Sequence, residues 1–448
     1  MSELPLPPGP RDWMPVRIYK MWTADPLAYM IQTAREYGDI AYMDLGAQHL
    51  AQVNHPDFVQ DILVTHKWNF TKRRVNQKEW REILGEGLLD SEGDFHMHER
   101  RLLEPAFRRD RIAAYGATMA GYASRQCADW KDGGEVDVYH EMLRLTLAIA
   151  GKAFLDADVE SGEADEISRA VTMIYELNNL LKNPLAPLLE RLPLPTVKHF
   201  HAARETLDRI IYGKIAERRK AGIPGDDLLA LLMHAPGHEG GAGKLTDTRV
   251  RDEALTIIIA GHETTANALT FTWHLLAQNP EVEAQLHAEV DAVLGGKLPT
   301  PDDVARLPYT EAVFAEAMRL YPPVWCEGRQ SVSEYELGGY HLPAGTLILW
   351  CQYIMFRDSR WFPDPEKFDP TRLTREARSK LPRFSYFPFG AGPRQCIGEN
   401  FAWMEAVLVL ATLAQRWKLR TKPGCQLELQ PEVTLRPKGG LPMTAHAR

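Results

Sequence analysis

The longest apolar segment of the chain, residues 252–278, has a pattern that predicts one long and largely buried helix. Its sequence, DEALTIIIAGHETTANALTFTWHLLAQ, is apolar on most of the helix surface rather than along one stripe. A polar interruption, GHETT at 261–265, lies in the middle of this segment. Polar side chains inside a buried helix cost free energy unless they are paired or used. The interruption is therefore the first candidate for a functional segment.

Shorter patterns indicate that the rest of the protein is mainly helical with a smaller β part. The region from about residue 95 to residue 320 has mostly helical periodicity. Residues 26–65 combine one helix with short strands, and residues 331–350 alternate around a Gly-Gly turn, as short strands do. A last helix is predicted from about 398 to 416. No stretch has the character of a linker between domains, so we predict a single domain over residues 1–448.

The composition is that of an ordinary globular protein. The chain has 448 residues, of which 45% are hydrophobic and 25% are charged. Its net charge of -8 gives no sign of nucleic-acid binding. No segment resembles a membrane span of ~20 apolar residues, and the N-terminus lacks a signal-peptide pattern. We therefore expect a cytoplasmic protein without a membrane anchor.

The cysteines are few and scattered, and no two of them form a CxxC pair. This distribution argues against a disulfide framework and against a structural zinc site. The five cysteines are Cys127, Cys326, Cys351, Cys396 and Cys425.

The segment FGAGPRQCIGENFAWMEA, residues 389–406, places Cys396 between a glycine-rich turn and a predicted helix. Gly390 and Gly392 allow a tight turn, and the N-terminus of the helix favours a thiolate over a thiol. A thiolate can be a nucleophile, but no local motif supplies the histidine base that a cysteine nucleophile needs. It can also be the axial ligand of haem iron. The remaining alternative is a buried structural cysteine.

This segment resembles the haem-binding loop of the cytochrome P-450 superfamily, Phe-x-x-Gly-x-Arg-x-Cys-x-Gly. All five positions match, at Phe389, Gly392, Arg394, Cys396 and Gly398. The resemblance implies the cytochrome P-450 fold, mainly α with a small β region and with a long central distal helix over the haem. It implies haem b as the cofactor, Cys396 as the thiolate ligand of the iron, and Arg394 as a partner of a haem propionate.

The polar interruption resembles the distal helix of the same superfamily, Ala-Gly-x-Asp/Glu-Thr-Thr, at Ala260, Gly261, Glu263, Thr264 and Thr265. The resemblance implies that Ala260 lies beside the haem, that Thr264 forms a hydrogen bond where oxygen is activated, and that Glu263 helps to relay protons. An acid and a hydroxyl group can supply the protons that cleavage of the O–O bond requires. The alternative is that the hydroxyl groups bond back to carbonyl groups one turn earlier.

Glu316 and Arg319 are three residues apart in a predicted helix and can form an ion pair on one helix face. Taken alone, such a pair is an ordinary surface feature. The superfamily resemblance implies instead a buried pair that is joined by Arg372, from the Phe-x-Pro-x-Arg segment at 368–372. The phenylalanine that usually follows this segment is Leu373 here. We interpret these three residues as structural rather than catalytic.

Three further residues are predicted to contact haem propionates by the same resemblance. His96 and Arg100 lie four residues apart, on one face of a predicted helix, and His98 competes with His96 for the role. Arg329 follows the segment YPPVWCEG where the superfamily places another propionate-binding arginine. The alternative for His96 is an ordinary residue on the helix surface.

The resemblance implies a monooxygenase that hydroxylates or epoxidises a small hydrophobic substrate with one atom of O2. A lipid, a terpenoid or a polyketide-like molecule is the expected substrate class, because the residues that the family layout places around it are apolar. These candidates are Leu84, Leu88, Ala260, Val324, Trp325 and Leu429. The alternatives are a peroxide-using haem-thiolate enzyme, which would tend to lack the acid–threonine pair, and a non-enzymatic haem sensor.

Electrons are expected from separate proteins, since the haem domain accounts for the whole length of the sequence. The expected partners are a ferredoxin or a flavodoxin with an NAD(P)H reductase. A cluster of arginines near the presumed proximal face can dock an acidic partner. The alternative is a solvated helix face. These residues are Arg100, Arg101, Arg108, Arg109 and Arg111.

Overall fold

The structure is a computed structural model. It describes residues 4–448 apart from 11–14, 46–47, 73–76, 158–161, 164–165, 168, 172, 175–191, 193, 223–224, 226, 238–243 and 423.

The α-helices of the described residues are numbered here in chain order. They are α1 (Pro15–Ala24), α2 (Pro26–Tyr37), α3 (Pro56–Gln60), α4 (Gln77–Leu84), α5 (Gly93–Leu103), α6 (Arg109–Ala114), α7 (Gly116–Gln126), α8 (Val138–Leu155), α9 (Pro195–Lys220), α10 (Leu228–His234), α11 (Asp247–Gln278), α12 (Pro280–Leu294), α13 (Pro308–Leu320), α14 (Gln352–Met355), α15 (Arg375–Lys380) and α16 (Glu399–Ala414).

The β-strands are short. They are β1 (Ile40–Asp44), β2 (His49–Val53), β3 (Phe70–Thr71), β4 (Glu135–Asp137), β5 (Glu327–Ser331), β6 (Tyr335–Leu337), β7 (Tyr340–Leu342), β8 (Leu347–Trp350), β9 (Trp417–Thr421), β10 (Leu429–Pro431), β11 (Leu435–Pro437) and β12 (Pro442–Ala447). The fold is thus mainly α with a small β region, as the sequence predicts.

The chain divides into two compact units. Unit 1 comprises Met1–Val75, Ala315–Cys396 and Leu429–Arg436. Unit 2 comprises Asn76–Phe314, Ile397–Glu428 and Pro437–Arg448. The single domain expected over residues 1–448 stays a prediction.

Unit 1 is built around a five-stranded sheet with the strand order β1-β2-β8-β5-β3. Strands β2 and β8 pair in parallel, with Leu50 opposite Leu347, and the other pairs are antiparallel. The predicted strands in residues 331–350 are confirmed, and β6 and β7 form a hairpin whose turn is Gly338-Gly339. Both glycines have a positive φ, which residues with a side chain rarely adopt. Apolar side chains of the strands, among them Ile348 and Trp350, form a buried cluster.

Unit 2 is helical, with a small sheet of strand order β4-β12-β9. Its longest element, α11, has 32 residues and is a continuous α-helix through 261–265. Nearly all of its residues from Val250 to Leu276 are buried, because it packs against other helices of the unit, including α8. The helix begins five residues before the predicted start, where the Thr246 hydroxyl accepts a hydrogen bond from the Arg249 N–H. Among the described residues, no helix is long and apolar enough to cross a membrane.

Candidate functional site

Cys396 lies in unit 1, at the end of a turn that two backbone hydrogen bonds close. The Cys396 N–H donates to the Phe389 carbonyl oxygen over 2.9 Å, and the Gln395 N–H donates to the Gly392 carbonyl oxygen over 3.1 Å. Cys396 itself is exposed. The turn therefore holds an accessible sulfur in a fixed place, as a metal-ligating cysteine requires.

The glycines of this turn are there for a conformational reason. Gly390 has a φ of +67° and Gly392 a φ of +69°, both in the left-handed region that favours glycine. At Gly392 a Cβ atom would also overlap the Leu63 carbonyl oxygen, which belongs to the π-helical turn Asp61–Thr65. The spacing of the motif thus reflects a backbone that only glycine accommodates at this contact.

Three of the other cysteines are poor candidates for a thiolate. Burial raises the pKa of the Cys351 thiol to about 12 and the pKa of Cys326 well above its usual value. Burial also raises the pKa of Cys127. These thiols stay protonated at neutral pH, whereas the thiolate is the form that binds metals. The contrast with the exposed Cys396 supports the sequence motif.

Two predicted propionate partners lie in the unit that carries Cys396. Arg329 is buried on β5, where its Nη1 donates to the Gly328 carbonyl oxygen over 2.8 Å. Its guanidinium carbon lies 5.5 Å from the centre of the Trp350 ring. Arg394 belongs to the 3-10 turn Gly392–Arg394 and is partly exposed.

Unit 1 also brings together three of the predicted substrate residues. Trp325 is buried, and its indole N–H donates to the Glu432 carbonyl oxygen over 2.9 Å. Close by, the Leu435 N–H donates to the Pro323 carbonyl oxygen over 2.8 Å. The strand pair β10–β11, which begins at Leu429, is therefore fixed beside the segment that contains Val324.

Glu316, Arg319 and Arg372 form a compact charged group in unit 1. Arg319 donates to both carboxylate oxygens of Glu316, with Nε–Oε2 and Nη2–Oε1 distances of 2.8 Å. The Arg372 Nε lies 3.3 Å from Glu316 Oε1. Both Glu316 and Arg319 are completely buried. Arg319 also donates to three carbonyl oxygens, those of Phe356, Pro365 and Lys367.

In unit 2, the middle of helix α11 has one accessible face. Ala260 is exposed and Gly261 and Thr264 are partly exposed, while the residues on either side along the helix are buried. Positions 260, 261 and 264 share one helix face because of the 3.6-residue period. The side chains on this face are small and mostly apolar, which suits contact with an apolar group.

The polar residues of GHETT differ in what they contact. The Thr264 hydroxyl donates to the Ala260 carbonyl oxygen over 2.9 Å, so the back-bonding that we named as the alternative is present. This bond uses the hydroxyl proton and leaves the oxygen able to accept another hydrogen bond. Glu263 is buried. Burial lowers the pKa of His262, which keeps the imidazole neutral.

Helix α5 holds His96 and Arg100 on one face. His96 is buried, and its Nδ1 lies 3.1 Å from the Leu88 carbonyl oxygen and 3.2 Å from the Ser91 hydroxyl. Arg100 pairs with Glu104 at an Nε–Oε1 distance of 3.5 Å. Leu88 is buried in the loop before α5.

Two more predicted residues lie in unit 2. Leu84 is buried at the end of α4. Gly398 is the N-cap residue of α16, and its carbonyl oxygen accepts a hydrogen bond from the Ala402 N–H over 2.9 Å.

Sequence reasoning missed the acidic residues at the start of the long helix. Asp252 and Glu253 are buried and accept hydrogen bonds from the backbone of the loop that contains Leu88. The signal was present, because two adjacent acids open an otherwise apolar segment. Their partners, however, lie about 165 residues earlier in the chain, as the separations of 166 and 165 residues show.

Comparisons with known proteins agree with this description. The family model described as Cytochrome P450 matches residues 7–442. Cyclooctatin synthase of Streptomyces melanosporofaciens is 38% identical, over 89% of this chain and 87% of the relative. Cyclooctat-9-en-7-ol 5-monooxygenase of the same organism is 37% identical, over 87% of this chain and 84% of the relative. Pentalenene oxygenase of Streptomyces avermitilis is 33% identical, over 89% of this chain and 88% of the relative.

Solved structures resemble the fold over its whole length. The crystal structure of the haem domain of cytochrome P450DA has a TM-score of 0.86 and 27% identity, covering 99% of this chain and 98% of that chain. A triple mutant of the same haem domain has a TM-score of 0.85. The fold that the sequence motifs predict is thereby confirmed.

Proposed function

Because the chain belongs to the cytochrome P450 family, we propose that it is a monooxygenase that oxidises a terpenoid-like substrate with electrons from a separate ferredoxin or flavodoxin. The recognition of the family from its motifs is confirmed. The observation that carries the proposal is the accessible apolar face of helix α11, at Ala260, Gly261 and Thr264, next to the acid Glu263.

The family is a haem-thiolate family, and the residues of this chain fit haem. Cys396 offers an exposed sulfur on a fixed turn, and the α11 face offers an apolar surface. We assign the iron ligand to Cys396 and the propionate contacts to His96, Arg100, Arg329 and Arg394. When bound, a haem with a thiolate ligand supplies the cleavage of the O–O bond and the oxidation of the substrate.

At the accessible face of α11, the protein's own side chains supply hydrogen bonds and protons. The Thr264 hydroxyl donates to the Ala260 carbonyl oxygen, and its own oxygen accepts a hydrogen bond from a water molecule. Glu263 is the adjacent acid and exchanges protons with this water. General acid–base steps of this kind contribute roughly 10²–10⁴-fold to a rate.

The substrate class follows from the apolar lining and from the relatives. Leu84, Leu88 and Trp325 are buried apolar side chains, and Val324 and Leu429 are partly buried. The names of two relatives identify cyclooctat-9-en-7-ol and pentalenene as their substrates. Apolar side chains of this kind favour a molecule recognised by shape rather than by charge. We therefore propose a terpenoid.

The electron donor docks through arginines of α5 and of the segment that follows it. Arg101, Arg108 and Arg109 are exposed, while Arg108 lies 3.4 Å from Asp110 and is partly neutralised by it. Opposite charge across such a surface accelerates association and makes it sensitive to salt. This favours an acidic ferredoxin or flavodoxin as the partner.

A reconstituted assay with ferredoxin, its reductase and NADPH tests the proposed function. Pentalenene and cyclooctat-9-en-7-ol are the first substrates, because relatives are named after them. We expect each bound substrate to shift the haem band, and the product to contain one atom from isotope-labelled O2. Product formed with hydrogen peroxide alone, and none with NADPH and O2, would support a peroxide-using enzyme. No shift and no product with any apolar compound would support a haem sensor.

A further inference from the structure

The loop between α4 and α5 is held against the N-terminal half of helix α11 by backbone hydrogen bonds. The Glu86 N–H donates to Asp252 Oδ2 over 3.1 Å, and the Leu88 N–H donates to Glu253 Oε2 over 3.0 Å. Arg249 Nη1 donates to the Glu86 carbonyl oxygen over 3.0 Å. Three side chains of one helix thus hold two consecutive turns of the loop.

The loop approaches the helix so closely that two glycines are required. At Gly85, where φ is +61°, a Cβ atom would overlap the carboxylate of Asp252. At Gly87 a Cβ atom would overlap the hydroxyl oxygen of Thr256. The sequence Gly-Glu-Gly at 85–87 therefore fits the acidic start of α11 at short range.

Leu88 is held from both sides. Its N–H donates to Glu253, and its carbonyl oxygen lies 3.1 Å from His96 Nδ1. These two bonds fix the backbone of Leu88, a predicted substrate residue, between the distal helix and the helix of a predicted haem partner.

Glu253 is one of two buried acids that share a single cation. Arg249 Nη2 lies 2.8 Å from Glu99 Oε2 and 3.6 Å from Glu253 Oε1. Both acids are fully buried. Burial, reinforced by Glu99, raises the pKa of Glu253 to about 8, so at neutral pH the carboxyl group holds a proton.

The same elements carry other charged or titratable side chains. Asp252 pairs with Arg251 at 3.0 Å, and Arg251 also pairs with Asp208 of α9. Glu86 lies 3.8 Å from Arg249, and Arg100 lies 3.5 Å from Glu104. The other such groups among the described side chains of α4, the loop and α5 are Arg81, Glu82, Asp90, Glu92, Asp94, His96, His98 and Arg101.

We propose that Glu253 is a positioning residue for substrate: it fixes the loop of residues 85–92 and thereby sets how tightly an apolar molecule binds at the haem. The proposal rests on the proposed function, because it takes Leu88 as part of the substrate site. Glu253 does not touch the reacting atoms and acts through the Leu88 backbone.

Two substitutions of the holoprotein separate this role from general stability. Glu253→Gln keeps an oxygen that accepts from the Leu88 N–H, whereas Glu253→Ala removes it. Glu283→Gln is the matched control, because Glu283 is also a buried acid of unit 2, paired with Arg420 at 2.5 Å in another place. The readouts are hydrogen exchange of the peptide that covers residues 85–92 and the affinity for 4-phenylimidazole, an apolar group attached to a nitrogen ligand for iron.

We expect Glu253→Ala to accelerate exchange in this peptide and to weaken 4-phenylimidazole about tenfold, as the loss of a buried hydrogen bond predicts. Glu253→Gln should restore both values. Unchanged exchange or unchanged affinity in Glu253→Ala would overturn the proposal, as would an equal loss in Glu283→Gln.

The pH dependence gives a test that does not need the alanine variant. Because the closed loop keeps Glu253 protonated, raising the pH to about 8 favours an open loop in which the Glu253 carboxyl group is ionised. Relative to Glu253→Gln measured at the same pH, wild-type affinity for 4-phenylimidazole should therefore fall between about pH 6 and about pH 8, and the comparison at equal pH removes the titration of the probe itself. Parallel curves would overturn the proposal. A wild-type protein that forms no product from O2 would instead contradict the proposed function. That result would not affect the hydrogen exchange of residues 85–92 or the affinity for 4-phenylimidazole.

Discussion

Replacing Glu316 by alanine is the perturbation whose cost the structure defines best. Glu316 accepts two hydrogen bonds from Arg319 at 2.8 Å and one from the Asp369 N–H at 3.1 Å, and it is completely buried. Glu316→Ala removes both acceptor oxygens, and with them all three hydrogen bonds, and leaves the Arg319 guanidinium charged inside the protein. The arginine cannot turn to water, because its other donors are fixed on three carbonyl oxygens.

The expected loss is large compared with the stability of a typical protein. Breaking a buried ion pair by removing one partner costs about 3–5 kcal/mol, because the other charge stays buried without compensation. The total free energy of unfolding of a folded domain is roughly 5–15 kcal/mol. We therefore expect Glu316→Ala to give little folded, haem-loaded protein at the growth temperature.

The control for this prediction is an ion pair of the same type on the surface. Glu376 and Lys380 pair at 2.5 Å with both side chains well exposed. Glu376→Ala should change the stability by no more than about 1 kcal/mol, because solvent screens such pairs. Urea unfolding of the purified variants, together with the haem-to-protein ratio, measures both effects. Equal stability of Glu316→Ala and Glu376→Ala would refute the reasoning.

Three further predictions concern the site. Thr264→Ala should still bind haem and substrate but divert electrons to peroxide or water; the ratio of product to NADPH consumed measures this, and an unchanged ratio contradicts the role of the hydroxyl. Glu263→Gln should slow product formation by roughly 10²–10⁴-fold, which the turnover rate measures. Gly392→Ala should reduce the haem-to-protein ratio. Gly424→Ala is the control and should not reduce it, because Gly424 has a φ of +81° but no neighbour within 4 Å of an added Cβ atom. Equal ratios would show that the contact between residue 392 and Leu63 is unimportant. The pKa of Glu253 is raised to about 8. The contribution of this carboxyl group to stability is therefore present below its ordinary pKa and is lost as the pH rises through about 8. The melting temperature of Glu253→Gln should depend less on pH than that of the wild type.

The sequence predicts local features of the fold and of the site well. The largely apolar segment 252–278 specifies helix α11, and the Gly-Gly pair specifies the β6–β7 hairpin, because each depends on neighbouring residues only. The start of α11 is missed by five residues, since the cap at Thr246 precedes a polar turn without hydrophobic periodicity. The motif around Cys396 is likewise local.

Features that join distant segments are not predictable in this way. The spacing of Glu316 and Arg319 predicts that they reach each other, but it predicts neither their burial nor the carbonyl groups that come from residues 356–367. In the same way, the bond between Leu88 and Glu253 joins residues 165 positions apart. Such contacts follow from tertiary packing, which brings together segments that no period or motif relates.

The visible spectrum of the reduced CO complex of Cys396→Ser tests the central assignment most directly. A thiolate ligand gives this complex its characteristic band, so Cys396→Ser should lose that band while wild type shows it. Alanine substitutions at the other cysteines should leave the band intact; these are Cys127, Cys326, Cys351 and Cys425. If Cys396→Ser kept the thiolate band, or if one of the other four substitutions abolished it in folded, haem-loaded protein, Cys396 would not be the iron ligand.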